Sequence, residues 1–297
     1  MHVNARTWGA LITVYLAWGG TYPAIRVMVE TVPPLLGTGA RFLLAGAVMG
    51  GTLAARGRLR SSRRDMVGAA LVGIVILGDI GVLAVAEQEV PAGLAALVIA
   101  SVPLWVVCLQ VANRERVTRR TGLAVIVGLG GMTLLVSPGG DAPLLWLLVL
   151  VAAAAVEAAG QFYSQRAPLP DDPLVSTTIQ LVAAGVALAL AGAILGEIGD
   201  VRTAAFSSDS LLAFAYLVVP GSLVAYTAFV WLLRNAPIGT VSTYAYVNPV
   251  VAVAVGAVLL GERITVTMAT GGALILTSVA LVVAQRVPRQ VSSANSP

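Results

Sequence analysis

The stretch PAGLAALVIASVPLWVVCLQVANRERVT, residues 91–118, carries the pattern that decides the fold. It has no charged residue before Arg114, and a helix that crosses a bilayer needs about 20 such apolar residues. The stretch PIGTVSTYAYVNPVVAVAVGAVLLGERIT, residues 237–265, repeats the pattern. Pro91, Gly93 and Pro103 recur 146 residues later as Pro237, Gly239 and Pro249, and Glu115-Arg116-Val117-Thr118 recurs as Glu262-Arg263-Ile264-Thr265. The chain therefore contains two copies of one membrane-spanning unit.

The front of each copy repeats more weakly. The matching residues are Gly20 with Gly160, Arg26 with Arg166, and Pro34 with Pro173. We divide the chain into a first repeat, residues 1–138, and a second repeat, residues 139–297. Each repeat holds five apolar runs, and because five is odd, the second repeat must enter the membrane from the opposite side. Such an inverted repeat predicts a binding site near mid-membrane, where the two repeats meet.

The composition also indicates a membrane protein. Apolar residues make up 58% of the 297 residues, charged residues make up 11%, and the mean hydropathy is +0.91. Soluble domains have about 25% charged residues, so these values exclude a disordered chain and leave too few polar side chains for a soluble enzyme. Apolar runs between polar or Gly/Pro breaks predict an all-α integral membrane protein with ten spans around a central cavity. The spans are 7–26, 35–55, 66–86, 91–111, 121–137, 143–165, 174–195, 211–233, 238–260 and 266–285.

The arginines give the chain a direction, because basic residues collect in short loops on the cytoplasmic side. With the N-terminus inside, 14 of the 18 basic residues fall in cytoplasmic segments and three fall in outer loops. We therefore predict an inner-membrane protein of a bacterium with both termini in the cytoplasm. The clusters would lie beside anionic membrane lipids, which argues against a nucleic-acid partner. The cytoplasmic arginines are Arg6, Arg56, Arg58, Arg60, Arg63, Arg64, Arg114, Arg116, Arg119, Arg120, Arg166, Arg234, Arg286 and Arg289; the outer ones are Arg26, Arg202 and Arg263.

Three sets of residues carry a family resemblance. They are Ala17-Trp18-Gly19-Gly20-Thr21-Tyr22 in span 1, Ala40-Arg41-Phe42 in span 2, and Pro103 and Pro249, each followed by Glu-Arg. With these motifs the chain resembles the EamA-type transporters of the drug/metabolite transporter superfamily over nearly its whole length. The resemblance implies ten helices in two inverted five-helix halves and a cavity lined mainly by helices 1, 3, 4, 6, 8 and 9. It also implies, for many members, export of amino acids and related metabolites.

The two halves differ at residues that bear on a site. Gln180 stands where the first half has Arg41, and Ala158 stands where it has Trp18. We therefore expect an asymmetric site.

Three charged residues fall inside predicted spans, where a charge costs roughly 2.5–3.5 kcal/mol and usually faces the protein interior or water. Arg41 and Asp79 lie at similar depth in spans 2 and 3, so we expect them to form an ion pair. That pair could lock two helices together, or it could recognise substrate charge or couple transport to protons. Glu157 shares a helix face with Gln161 and Ser164. This polar stripe could line a cavity, with Glu157 holding a substrate ammonium group or a proton, or it could bond neighbouring helices.

Aromatic and polar residues at helical spacing complete the predicted site. Rings can close over the apolar part of a substrate while hydroxyl and amide groups orient its polar ends; the alternative is anchoring at the membrane interface. Pro103 and Pro249 predict matched helix breaks, because proline removes a backbone hydrogen bond. These breaks could act as gate hinges or merely kink packed helices. The predicted substrate-binding residues are Trp18, Tyr22, Asp79, Ser101, Trp105, Glu157, Gln161, Tyr226, Tyr244, Tyr246 and Asn248.

These features favour a secondary transporter that exports small metabolites by alternating access, with amino acids or related neutral and aromatic compounds as substrates. A membrane-embedded enzyme would need clustered catalytic side chains, and a channel would need rings of like charge or a filter motif; neither pattern is evident. No catalytic, cofactor or metal site is predicted, since the chain has one cysteine, one histidine and no Walker loop. A drug carrier or an importer of the same fold stays open, as do proton coupling and the choice between monomer and weak homodimer.

Overall fold

The computed structural model describes residues 4–137 and 142–285, so the predicted repeat boundary at 138 lies outside the described residues. Within these residues the regular elements are helices, and no strand is present. A π-helical segment, Val219–Val224, joins α10 to α11. The helices are α1 (Ala5–Gly19), α2 (Thr21–Met28), α3 (Pro34–Ala55), α4 (Arg63–Ala86), α5 (Ala92–Ile99), α6 (Val102–Ala112), α7 (Arg119–Leu135), α8 (Leu144–Ser164), α9 (Pro173–Ile194), α10 (Ser208–Val218), α11 (Ala225–Asn235), α12 (Ile238–Val241), α13 (Tyr244–Leu259) and α14 (Val266–Gln285).

Each predicted span coincides with one of these helices or with two consecutive ones, and no end differs by more than three residues. Eight helical stretches are long and apolar enough to cross a membrane. The helices of the first and fifth predicted spans are shorter, because α1 has 15 residues and ends at Gly19, and α7 has 17 residues. Large apolar side chains point away from the protein, with Ile126 and Leu145 each 67% exposed. Such surfaces suit contact with lipid.

The helix breaks lie before the two predicted prolines: within the preceding turn for Pro103, and more than a turn earlier for Pro249, which corrects the expectation there. The break between α5 and α6 falls at residues 100–101, and Pro103 is the second residue of α6, where a missing N–H breaks no helical bond. Pro249 lies inside α13, and the chain breaks earlier, at residues 242–243. Each proline therefore lies downstream of a break rather than at it.

Helix pairs approach closely where small residues meet. α3 packs along α9, and α7 packs along α14. A Cβ on Gly39 would lie 2.9 Å from the backbone nitrogen of Ala189, and a Cβ on Gly131 would lie 2.7 Å from the carbonyl oxygen of Gly271. A larger residue at either glycine would force these helices apart. The remaining helices pack as α4 on α8 and α9, α1 on α11 and α13, and α5 on α13.

Polar contacts define two ends of the bundle. At one end, which we call the Arg-rich end, Arg58 and Arg234 both pair with Asp172, and Arg166 pairs with Glu115 at 2.8 Å. These contacts join the loops 56–62, 113–118 and 165–172 with the end of α11. At the opposite end, further contacts join the loops 29–33, 87–91, 195–207 and 260–265; they are Arg26 to Glu87 and Gln88, Glu197 to Leu35 and Leu36, Ser207 to Thr31, and Glu262 to Ala92 and Gly93.

Residues with positive φ recur at matching places. Gly57 (φ +64°) follows the end of α3 and Gly196 (φ +91°) follows the end of α9. Arg114 (φ +61°) lies just after α6, and Gly261 (φ +67°) lies just after α13. Because an L residue such as Arg rarely adopts this conformation, the matched backbone at Arg114 and Gly261 is a notable likeness between the two segments.

Candidate functional site

A cavity of about 590 Å³ lies among the helices, within the roughly 300–1,000 Å³ typical of small-molecule sites. Its wall reaches the Arg-rich end, where Ser164, Pro170 and Leu233 line it. Toward the opposite end the lining stops at Ile25 and Leu83, within α2 and α4, and includes no loop residue from that end. The cavity is therefore open at the Arg-rich end and closed at the other.

Most of the predicted site residues line this cavity. Both prolines and Arg41 also lie on its wall. The predicted substrate-binding residues on the wall are Trp18, Tyr22, Asp79, Glu157, Gln161, Tyr226, Tyr244 and Asn248.

Three predicted residues do not line the cavity. Ser101 is fully buried, and its hydroxyl donates to the carbonyl oxygen of Val98 at 2.6 Å. Trp105 packs among apolar side chains of α6 and α8, including Phe162. Tyr246 packs against the largest apolar cluster of the protein. Helical spacing alone did not separate these residues from the ones that face the cavity.

Two acidic side chains meet on the cavity wall. Asp79 on α4 and Glu157 on α8 are near enough for the charge of each to affect the other. Gln161 donates from Nε2 to Oε1 of Glu157 at 2.7 Å, while Oδ1 of Asp79 has no hydrogen-bond partner among the residues that the structure describes. Two adjacent carboxyl groups in a poorly hydrated site repel each other when both are charged. The arrangement can hold a proton or a cationic group between them.

The predicted ion pair between Arg41 and Asp79 does not form. The Nε of Arg41 donates to the carbonyl oxygen of Leu217 and to the hydroxyl of Ser222, each at 3.1 Å. Its guanidinium carbon lies 5.1 Å from the centre of the Phe42 ring. Arg41 is only 3% exposed, and in the described part of the chain its Nη1 has no hydrogen-bond partner. Arg41 is thus directed toward the segment between α10 and α11, and one of its donor groups is unused.

The π-helical segment explains why the Arg41 side chain is directed toward α10 and α11. Pro220 has no N–H to donate, so a regular α-helix is interrupted there. The carbonyl oxygen of Leu217 accepts from Arg41 and from Ser222, and that of Gly221 accepts from Nε1 of Trp18 at 3.1 Å. Such π segments often occur at functional sites. Pro220 within the eighth apolar run was the signal in the sequence that could have located this feature.

Aromatic rings cluster around Trp18 on the cavity wall. Its ring centre lies 5.3 Å from Tyr226, 5.0 Å from Phe229 and 5.4 Å from Tyr244. The contacts with Tyr226 and Tyr244 are edge-to-face, an arrangement that aromatic pairs favour. Beyond Trp18, the hydroxyl groups of Tyr15 and Thr243 form a hydrogen bond that further ties α1 to the start of α13. Helices α1, α11 and α13 thus together form one apolar surface on the cavity wall.

Some cavity residues were missed from the sequence. Phe229 belongs to the aromatic cluster, one turn beyond Tyr226 on α11. On α9, Ser176 and Gln180 face the cavity, and Nε2 of Gln180 donates to the hydroxyl of Ser176 at 3.0 Å. The position of Gln180 opposite Arg41 in the repeat was a usable signal for its place in the site.

Comparisons with known proteins agree with this architecture. The EamA-like transporter family matches residues 7–137 and again residues 144–284. The inner membrane transporter YedA of Escherichia coli (strain K12) is 38% identical over 260 residues, which cover 86% of this chain and 84% of that protein.

Two further similarities are more distant. A protein of Streptantibioticus cattleyicolor named "Probable terminal-alkyne amino-acid exporter" is 28% identical over 287 residues, covering 95% of this chain and 94% of that protein. One solved crystal structure aligns with a TM-score of 0.63 at 22% identity and covers 93% of this chain and 95% of the other. At that identity the likeness concerns the fold alone.

Proposed function

Because the chain belongs to the EamA-like transporter family, we propose that it is a secondary transporter that carries small metabolites through its central cavity. The observation that supports this most strongly is the cavity of about 590 Å³ that is open at one end only. A carrier that works by alternating access exposes its site to one side at a time. A channel would instead need a continuous path.

We place the protein in the inner membrane of a bacterium, with the Arg-rich end and both termini in the cytoplasm. The excess of arginine in the short loops of that end supports the orientation. The name of the relative YedA supports the inner membrane.

We further propose that the chain crosses the membrane ten times as two inverted five-helix repeats, residues 1–138 and 139–297. The two separate matches of the family support this division. The pairing of α3 with α9 and of α7 with α14 also supports it, because each pair joins one helix of each repeat at equivalent positions. The two repeats would then exchange their packing when the site changes sides.

We propose that the substrates are amino acids or related neutral and aromatic compounds, moved out of the cell. The Asp79–Glu157 pair would hold the substrate ammonium group. The unused Nη1 of Arg41 would take the carboxylate, and the rings around Trp18 would contact the side chain. The name of the Streptantibioticus relative supports this substrate class. A cavity open to the cytoplasm would load solute there for export.

The acidic pair also suggests a way to couple transport to protons. A proton held between Asp79 and Glu157 in the empty site would leave when an ammonium group takes its place, since both satisfy the same negative charge. Substrate loading at the cytoplasmic end would then release a proton there. That order of events is proton antiport.

A carrier of organic amines, including drugs, is the second candidate. Two carboxyl groups face the cavity against one arginine, and Nε of Arg41 is already bonded to Leu217 and Ser222. Such a wall would accept a cation that lacks a carboxylate. Import of either substrate class would use the same cavity.

Flux in proteoliposomes tests the proposal. Purified protein would be offered labelled amino acids, each beside the amine formed by removing its carboxyl group, with and without a pH gradient. We expect saturable uptake of amino acids, stronger than that of the amines and responsive to the gradient. Preference for the amines would favour the second candidate. Uptake of neither class would contradict both.

A further inference from the structure

One glutamate closes the end of the molecule that is opposite the cavity mouth. The carboxylate of Glu262 accepts from the backbone N–H of Ala92 at 2.6 Å and from that of Gly93 at 2.9 Å. Both amides belong to the first turn of α5, whose dipole favours a negative charge at this position. We call this contact the outer latch. It ties the loop after α13 to the start of the helix that leads to the cavity residues 99–100.

The surroundings of the outer latch are built for close approach. A Cβ on Gly256 would lie 2.5 Å from Oε2 of Glu262, so a larger residue there would displace the carboxylate from its present position. A Cβ on Gly93 would lie 3.1 Å from the Cα of Val253, so α5 and α13 are also in near contact. Ala92 is fully buried. The latch is therefore an internal contact of the closed end.

The same sequence elements occur at the Arg-rich end, where they are apart. Glu115 corresponds to Glu262, and Pro237-Ile238-Gly239 corresponds to Pro91-Ala92-Gly93. Glu115 pairs with Arg166 at 2.8 Å, and within the described residues it makes no hydrogen bond to Ile238 or Gly239. Ile238 is 54% exposed, whereas Ala92 is fully buried. One copy of the motif is engaged and the other is not.

A second pair of acidic residues makes contacts at both ends of the molecule. The difference between the two ends is therefore specific to Glu262 and Glu115. Glu197 accepts from the backbone N–H of Leu35 and Leu36, at the start of α3, at 3.1 and 2.8 Å. At the equivalent start of α9, Asp172 accepts from Leu174 and pairs with Arg58. The α3–α9 pair is thus fastened at both ends, while the contacts of Glu262 and Glu115 differ between the closed end and the open end.

We propose that Glu262 and Glu115 are alternating latches. In the present state the outer latch, formed by Glu262, holds shut the end opposite the cavity mouth. In the other state Glu115 binds the backbone amides of Ile238 and Gly239, while Glu262 releases α5. The proposal rests on the proposed alternating-access function. Exchange follows from the inverted repeat, because the two repeats swap packing when the cavity changes sides. Glu262 and Glu115 are positioning residues and do not touch the substrate.

Two engineered cysteines report the state of each end. The native Cys108 is first replaced by alanine, and the reporters are Val90→Cys, fully buried beside the outer latch, and Ile238→Cys, exposed at the Arg-rich end. Labelling rates with a membrane-impermeant maleimide are measured in full-length protein in detergent. The test variants are Glu262→Gln and its matched control Glu115→Gln, each of which removes one negative charge but keeps the side-chain length.

The two variants are expected to act in opposite directions. Glu262→Gln loses the charge-assisted bonds, so Val90→Cys should label about tenfold faster and Ile238→Cys more slowly. Glu115→Gln should leave Val90→Cys as slow as in the unaltered protein or slower. Glu262→Asp, which keeps the charge, should restore part of the slow labelling.

Two outcomes would overturn the alternating latches. In one, Glu262→Gln leaves both reporters unchanged; in the other, it speeds both, as expected of a helix that is merely loosened. Flux is measured on the same preparations. Opposite reporter responses without flux of any offered solute would reject the proposed substrates and keep the latches, whereas flux with unchanged reporters would reject the latches and keep the transport function.

Discussion

Two pairs of acidic side chains lie in buried surroundings of this molecule, and they differ in what holds them. Asp79 and Glu157 face the open cavity, and Oδ1 of Asp79 has no hydrogen-bond partner among the described residues. At the closed end, Glu262 accepts from two backbone amides. Beside it, the two carboxyl oxygens of the buried Glu87 have no hydrogen-bond partner within residues 4–137 and 142–285. Arg26 donates to the backbone carbonyl oxygens of Glu87 and Gln88.

The difference indicates two separate uses of buried acid. Carboxyl groups on the wall of an open cavity are accessible to a solute, so their unmet bonding capacity favours binding. The Glu262 carboxylate, which accepts from two backbone amides at the closed end, favours one arrangement of helices over another.

The largest effect is expected from Glu157→Gln. If this carboxyl group holds a substrate ammonium group, its loss removes a charged hydrogen bond worth about 1.5–3 kcal/mol, so the initial rate of uptake should fall roughly 10- to 100-fold. Ser164→Ala is the matched control, because Ser164 lies near the cavity mouth on the same helix and donates only to the carbonyl oxygen of Gln161. Equal rates for the two variants would break the division.

A smaller effect is expected from Gly256→Ala. The added methyl group would lie 2.5 Å from Oε2 of Glu262 and would push the carboxylate from the α5 amides. We expect labelling of the Val90→Cys reporter to rise several-fold, because a weakened hydrogen bond lowers the stability of the closed end by about 1 kcal/mol. Gly130→Ala serves as control, since a Cβ there meets nothing within 4 Å. The same rise in both variants would assign the effect to general loosening.

The pH dependence of the closed end should follow Glu87. Burial and the nearby Glu262 raise the pKa of Glu87 well above its usual value of 4.5, against the influence of Arg26. The charges and titratable groups that face it are Glu262, from the loop after α13, and Arg26 and Tyr22 on α2. An acid whose pKa is raised by burial favours the buried state while it is protonated. The closed end should therefore be most stable at low pH and become less stable as pH rises through the raised pKa of Glu87.

The measurement is the ratio of Val90→Cys to Ile238→Cys labelling, which removes the common effect of pH on thiol reactivity. This ratio should rise with pH and become flat in Glu87→Gln. A ratio that rises equally in the variant would show that another group titrates.

The smallest effect is expected from Arg58→Ala at the Arg-rich end. Although partial burial opposes it, hydrogen bonds from Arg58 and from the Leu174 amide, with the charges of Arg58 and Arg234, lower the pKa of Asp172. The stabilisation is present at neutral pH and is lost as pH falls through the lowered pKa of Asp172. Because the pair is partly exposed and Arg234 remains, the loss should stay below about 1 kcal/mol. Thermal unfolding at neutral and acidic pH measures the stability that Arg58→Ala loses. A larger loss at acidic pH than at neutral pH would contradict the expected pH dependence.

The positions of the helices could be predicted from the sequence because long apolar runs have only one stable arrangement in lipid. Side-chain partners could not. Arg41 and Asp79 were predicted at similar depth, but depth does not determine direction around a helix. The residues at and before the π-helical segment Val219–Val224 offer Arg41 other partners.

The side of a helix on which a residue lies could be predicted only within unbroken helices. Glu157 and Gln161 share one regular helix, and both line the cavity. Ser101 lies at the break before α6, so counting helical spacing from it assigned Trp105 to the wrong face. The closed state of one end was also beyond the sequence, because both copies of the latch motif are nearly the same in residue type.

The most direct test of the central claim compares uptake of labelled amino acids by the wild-type protein and by Asp79→Asn in matched proteoliposomes. The Cys labelling pattern of both proteins would first establish that the variant is folded. The account predicts saturable uptake by the wild-type protein that unlabelled substrate competes, and a fall in Asp79→Asn toward the level of empty vesicles. Equal saturable uptake by the two proteins would contradict it, since the acidic pair in the cavity would then not take part in carrying the solute.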